Sequence, residues 1–370
     1  MSYKEIENEK ELIELLNNTF QISHIAFQSV DFTTVEQLLI DKTFDDCIFL
    51  GCNLPDSFGN CLQNDNLIFP QINTPYNPYI SSLYTRETLY GRYVQGEPES
   101  YEKTLDKIVY NHFLTTGKEA NDIKETISRR LHDHAISDAL YDFLENYEEK
   151  KIVAIMGGHD LSRDDKNYLE VASISKRLTE LGYLMISGGG PGAMEATHLG
   201  AYFADKDETE LKEAVKILAE APMYKDRLWL DKAFSVLYKY PSSTYESLGI
   251  PTWLYGHEPP TPFATKIAKY FENSIREEGL LAIAKGGVIF SPGNAGTIQE
   301  IFQDANQNHY LSFGYASPMV FFDNTYWTVD RPIYSLLSKM AQDEKYKNLI
   351  LSICDHKEDV VAEILKFSSK

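Results

Sequence analysis

The sequence predicts an α/β fold: a parallel sheet flanked by helices over the second half of the chain, preceded by a mixed α/β region. Three observations predict it. From residue 151 onward, short apolar runs alternate with helical stretches, the pattern of a parallel sheet covered on both faces. Three of those runs lead into glycine-bearing turns, at Gly157, Gly188 and Gly293. The chain is also 43% apolar and 12% aromatic over 370 residues, enough for sizeable cores and for two domains. The break is expected near residue 150, which gives an N-terminal region of unreadable role at 1–150 and a ligand-binding domain at 151–370.

The first part is expected to open with a helix over about 4–17 and to place a buried strand at 47–51, Cys-Ile-Phe-Leu-Gly. Pro70, Pro75 and Pro78 make 69–84 extended or loop, because each proline fixes φ and biases its predecessor away from helix. Helices are predicted near 99–116 and 120–147. The sequence shows no internal repeat of fixed period. In the second part the predicted strands are 152–156, 183–187, 287–291 and 319–322. Helices are predicted over about 165–181 and 192–204, after the glycines of 293–296, and as a closing pair in 331–370. Residues 206–246 read as an acidic, aromatic helical insertion. Thr261-Pro262 reads as a helix start, with Arg276 near that helix's end.

Charge narrows the partners. Lys plus Arg total 35 against 55 Asp plus Glu, a formal net charge of −20. That opposes nucleic acid and acidic membrane surfaces, which need clustered cations. A small anion remains possible, since backbone N–H groups can hold it locally. The N-terminal segment has neither a basic region nor an apolar stretch, no run is long enough to span a bilayer, and the cytoplasm is the expected location. Four cysteines do not make a disulfide framework, and the spacing of Cys47, Cys52 and Cys61 matches no zinc pattern. No metal site and no cofactor are expected.

Four motifs carry the chemistry. In SGGGPGAMEA, Gly188, Gly189, Gly190 and Gly192 follow a strand and open a helix that also carries Glu195. Glycines there permit a sharp turn and close backbone approach to a ligand, and the helix start offers free N–H groups to an anion. A dinucleotide fingerprint is rejected: the cluster follows the second strand of the domain, and no acid follows at the position that holds a ribose. In SPGNAGTIQE, Gly293, Asn294, Ala295, Gly296 and Thr297 repeat that geometry, with Glu300 in the first helical turn; a capping pair explains Thr297 and Glu300 equally well. In GGHDLSRDD, Gly157 and Gly158 lead to His159, Asp160 and Arg163, all expected at the same sheet edge. The fourth is HEPPTP, from residue 257, which runs on towards Arg276.

Taken in order, GGH, GGGPGAMEA, EPP-x-P and PGNAGTIQE resemble the nucleoside 5′-monophosphate nucleosidases of the LONELY GUY superfamily, and look most like its long bacterial pyrimidine/purine nucleotide nucleosidases, over about 151–330. The resemblance implies a Rossmann-like nucleotide-binding fold, a homodimer or a multiple of one, and hydrolysis of a nucleoside monophosphate to free base and ribose 5-phosphate. It implies catalytic roles for Glu300 and Arg276, with the glycine turns, Glu195, Asn294, Ala295 and Thr297 around the sugar and phosphate. The family's PGGxGTxxE reads PGNAGTIQE here. Asn294 stands in place of a glycine, so its side chain is expected to intrude on the phosphate turn. A pyridoxal-dependent decarboxylase, a label such chains have carried, is opposed by the lack of a lysine in either turn. The alternative is a nucleotide sensor or carrier of the same superfamily, which needs the cradle but not the acid.

Overall fold

The computed structural model describes residues 3–241 and 243–368. The chain forms two compact units, one of residues 1–83 and 114–142, the other of 84–113 and 143–370. The division is therefore not a single cut near residue 150. Residues 84–113 and 143–150 go with the second unit, and the reason lies in bonds that composition does not reveal. Tyr84 exchanges two backbone hydrogen bonds with Ile267, at 3.0 and 2.8 Å. Asp106 and Lys269, both fully buried, form an ion pair, with the Tyr101 hydroxyl donating to the same carboxylate at 2.8 Å.

In the first unit, β1 (Lys4–Ile6) precedes α1 (Glu9–Asn18), which the Asn8 side chain caps. The chain then winds as a short parallel coil. β2 (Gln21–Ser23) pairs with β4 (Thr43–Asp45), and β3 (Ile25–Gln28) pairs with β5 (Ile48–Leu50), which pairs with β6 (Leu67–Phe69). β1 adds to β3, giving the order β1-β3-β5-β6. The expected strand at 47–51 is β5. The corners fall at His24, Asp46 and Asp65, all left-handed with φ of 50–59°, and at Ser29 and Gly51. Phe27 and Phe49 stack inside at 5.1 Å, with Phe32, Phe44 and Phe58 around them. Cys47, Cys52 and Cys61 are buried and free, their thiols directed at backbone carbonyls.

The second unit takes α2 (Arg86–Tyr90) and the start of α3 (Leu105–Thr116); a further helix, α4 (Ile123–Leu144), ends as the chain returns to this unit. Its core is a seven-stranded, wholly parallel sheet. In chain order the strands are β7 (Ile152–Met156), β8 (Leu184–Ser187), β9 (Ser247–Gly249), β10 (Lys266–Ile267), β11 (Gly287–Phe290), β12 (Pro318–Phe322) and β13 (Ile350–Cys354). Their spatial order is β10-β9-β8-β7-β11-β12-β13. β7, β8, β11 and β12 are buried at every residue, as a sheet covered on both faces requires. The helices are α5 (Lys166–Glu180), α6 (Ala193–Tyr202), α7 (Glu208–Leu218), α8 (Trp229–Lys239), α9 (Asn273–Ile283), α10 (Ala295–Tyr310), α11 (Ile333–Gln342) and α12 (Lys357–Ser368). The α/β class read from the sequence is the one observed.

Two expectations fail locally. Residues 261–272 form no helix: Thr261 N–H donates to Gly189 O at 2.8 Å and Ala268 N–H to Gly249 O at 2.9 Å. Edge pairing beats the local Thr-Pro signal, and Arg276 sits near the start of α9, not at the end of a long helix. The closing helix pair, α11 and α12, has an unanticipated strand, β13, between its members. No described helix is long and apolar enough to cross a membrane.

Candidate functional site

The chain reverses direction across the sheet at β7, with β8 on one side and β11 on the other. In open parallel sheets that switch point leaves a crevice beyond the carboxyl ends of the strands. The turns after β7, β8 and β11 converge there. Gly158 N–H donates to Pro292 O at 3.1 Å, and Ala193 N–H donates to Gly158 O at 3.0 Å. Side chains at these turns would collide. A Cβ on Gly157 would lie 2.0 Å from Ser291 Oγ, one on Gly192 2.3 Å from Gly158 O, and one on Gly293 2.2 Å from Thr297 Oγ1. Gly192 also has φ of +70°, which disfavours any side chain. The turn after β8 is clamped from beneath. His198 is fully buried and bridges Ser187 Oγ (2.8 Å) and Ser247 Oγ (2.9 Å), while Gly189 N–H donates to that Ser187 hydroxyl at 3.1 Å. Burial pushes the His198 pKa down to about 3, so the ring is neutral and acts as a strut.

Arg276 reaches the same turn from α9. Its Nε donates to Ile250 O at 2.7 Å, and its Nη2 lies over Gly188, 2.2 Å from where a Cβ would stand. Glu300 lies on the second turn of α10, not the first; its carboxyl is pushed up to about 7, chiefly by burial, with Arg276 pulling it down and Glu277 pushing it up. Arg276, expected to act with Glu300, lies close enough for its charge to oppose that shift. Thr297 is buried and folded over Gly293, while Asn294, Ala295 and Gly296 are exposed at the start of α10. The first N–H groups of a helix lack intrahelical acceptors, so the start of α10 presents free N–H groups and the positive end of the helix dipole.

Three expectations change. Asn294 does not crowd the turn: its φ is −101°, outside the left-handed region, and its Nδ2 faces Asp160 Oδ2 at 3.3 Å. Glu195 is not a ligand-facing residue. It is fully buried, held by Arg163 Nε and Nη2 at 2.8 and 2.6 Å and by the Tyr168 hydroxyl at 2.8 Å. Arg163, expected at the sheet edge, is consumed by that pair and by the carbonyls of Ala221 and Trp229. It locks the β7–α5 loop to α6.

Two residues at the crevice escaped the sequence reading. Tyr326, on the turn after β12, donates its hydroxyl to Gly293 O at 2.6 Å and braces the β11 turn; nothing in its local sequence marks it. Glu258 belongs to the HEPPTP motif, whose acid could have been singled out. Its strap crosses the β8 turn through the Thr261 to Gly189 hydrogen bond. Residues 84–113 secure the strap, with the Tyr90 hydroxyl on Pro260 O at 2.5 Å and Arg86 Nη1 on Pro262 O at 3.0 Å.

No protein-family model and no curated protein matches the chain. Among solved structures it is similar to the molybdenum cofactor binding protein from the phototrophic bacterium Rippkaea orientalis, at 13% identity and a TM-score of 0.35 over 59% of this chain and 96% of that one. It is also similar to the molybdenum cofactor carrier protein from Chlamydomonas reinhardtii, at 12% identity and a TM-score of 0.36 over 59% and 98%. Likeness at this level leaves the functional reading to the site itself.

Proposed function

We propose that the second unit hydrolyses the N-glycosidic bond of a nucleoside 5′-monophosphate, releasing free base and ribose 5-phosphate. The supporting observation is Glu300, a carboxyl pushed up to about 7 with the Arg276 charge opposing that shift, within two turns of the free N–H groups at the start of α10. The 5′-phosphate sits on the N–H groups at the start of α10. The sugar lies along the β8 turn, where glycines leave room. As the bond between C1′ and the base nitrogen breaks, positive charge grows on the sugar. An ionised Glu300 beside C1′ stabilises that charge and accepts the proton of the attacking water. A general base works best with a pKa near the working pH, which the burial of Glu300 supplies. Arg276 keeps Glu300 oriented and partly ionised.

The test is a product assay on the purified protein with AMP, GMP, CMP, UMP and IMP, and with the matching nucleosides. Release of base and ribose 5-phosphate from monophosphates, and none from nucleosides, is expected. Thermal stabilisation by a monophosphate without product release replaces hydrolysis by a carrier or sensor role.

A further inference from the structure

A cavity of about 20 Å³ lies between the end of α9, the second half of α10 and the loop that leads into β12. It has room for one water-sized occupant. Asp304 lines it. That residue is 2% exposed, and its Oδ2 is shut off from solvent without a hydrogen-bond partner among the described residues. Burial alone pushes its carboxyl up to about 8. A buried carboxyl left without donors is costly.

The groups around it are either spent or are acceptors themselves. Asn308 uses its amide twice on the Ser317 backbone, at 2.8 and 3.1 Å. Lys285 is the only cation among the described lining residues. Its ammonium goes to Glu149 Oε2 at 2.6 Å, and the Tyr315 hydroxyl goes to the same carboxylate at 3.0 Å. Ala282 lies in the last turn of α9. The N–H that would close its helical bond, that of Gly286, donates to Ile152 O at 2.8 Å instead. The Ala282 carbonyl is therefore left over at the negative end of the helix dipole. The Gln307 amide also lines the cavity and has no partner among the described residues.

What remains is a carboxylate, a helix-end carbonyl and an amide oxygen. Oxygens are the donors that hard cations take. One carboxylate balances one positive charge, whereas a divalent ion draws on several. We infer that this cavity is a monovalent-cation site, filled by K⁺ or Na⁺, with Asp304 as its charged ligand. The ion replaces a proton: as it enters, the Asp304 O–H gives its proton to solvent, so the charge in the cavity does not change. Asp304 stands four residues beyond Glu300 on α10, and the ion ties that helix to the end of α9. The inference does not rest on the nucleotide reading.

The experiment uses the full chain in choline chloride at pH 8.5, with KCl or NaCl exchanged in at constant ionic strength. The melting temperature is expected to rise by roughly 2–5 °C between about 1 and 200 mM of the preferred ion. The midpoint concentration should rise roughly tenfold for each pH unit below 7, as the proton competes. Asp304→Asn keeps the shape and removes the charge. It should melt no lower than the wild type in choline and lose the alkali response. Proton release needs no variant: in weak buffer at pH 7 the wild type should give up close to one proton per chain as the ion binds. A wild type that melts alike in choline, Na⁺ and K⁺ overturns the inference, and a water beside a protonated carboxyl takes its place. An alkali response that survives Asp304→Asn, or binding without proton release, overturns it as well.

Discussion

Replacing Glu300 with Gln separates what the fold wants from what the chemistry needs. Glu300 has its carboxyl raised from 4.5 to about 7, mainly by burial. The sign follows from linkage: the unfolded chain releases this proton at lower pH than the folded chain. The stability associated with the neutral carboxyl is therefore complete below about pH 4.5 and is lost as pH rises through 7. The size of the shift corresponds to ~3 kcal/mol of destabilisation once the group is ionised. Gln keeps the shape and cannot ionise. At pH 5 the variant and the wild type should melt together within a degree or two. At pH 8.5 the variant should be more stable by up to ~3 kcal/mol, or roughly 6–10 °C for a unit of this size. The assay is calorimetric melting of both proteins at the two pH values, run beside turnover on the preferred monophosphate. Turnover should fall by ~10²–10⁴ as the base is lost. An offset in melting temperature that is the same at both pH values, or a variant less stable at pH 8.5, refutes the idea that Glu300 is a half-buried carboxyl held above its ordinary pKa.

Gly188→Ala places a methyl on the Arg276 guanidinium, and because Arg276 is tethered to Ile250 O it should cut turnover at least ~10-fold while leaving a cooperative melt. Glu195→Gln breaks a fully buried pair with Arg163 and should destabilise the unit by ~3–5 kcal/mol; monophosphate affinity measured below the melting range should change little, whereas a selective loss of affinity would return Glu195 to the binding site. His198→Asn removes a group whose folded pKa lies near 3 against an ordinary 6.5. Such a histidine stabilises above pH 6.5, and that stability drains away as pH falls towards 3. The variant should be less stable at pH 7.5 yet lose less further stability between pH 6.5 and 4.5, as read from urea midpoints; parallel pH profiles would show that His198 is not the acid-sensitive strut.

Local chemistry made much of the second unit legible. Continuous apolar runs ending on glycine could be read as β7, β8 and β11 because a strand buried on both faces leaves no alternation to misread. Gly188, Gly293, Thr297 and Glu300 could be picked out because a tight strand-to-helix turn demands particular residue types at particular offsets. Arg276 came from the resemblance, on a helix placed wrongly around it. The N-terminal coil was invisible for a physical reason. Its corners are His24, Asp46 and Asp65 on one side and Ser29 and Gly51 on the other, different residue types at unequal spacing, so no period emerges.

By itself the sequence determined the parallel α/β class and the order of its glycine turns, both set by backbone geometry within a few residues. Only the tertiary structure decided which polar groups face the crevice. Glu195 and Arg163 satisfy one another in the core, Glu258 faces His159 and His257 at 3.9 and 3.7 Å, and residues 84–113 join the second unit through Tyr84, Tyr90 and the Asp106–Lys269 pair. Those outcomes depend on partners far away in the chain, and a buried charge takes whichever partner the packing brings within reach.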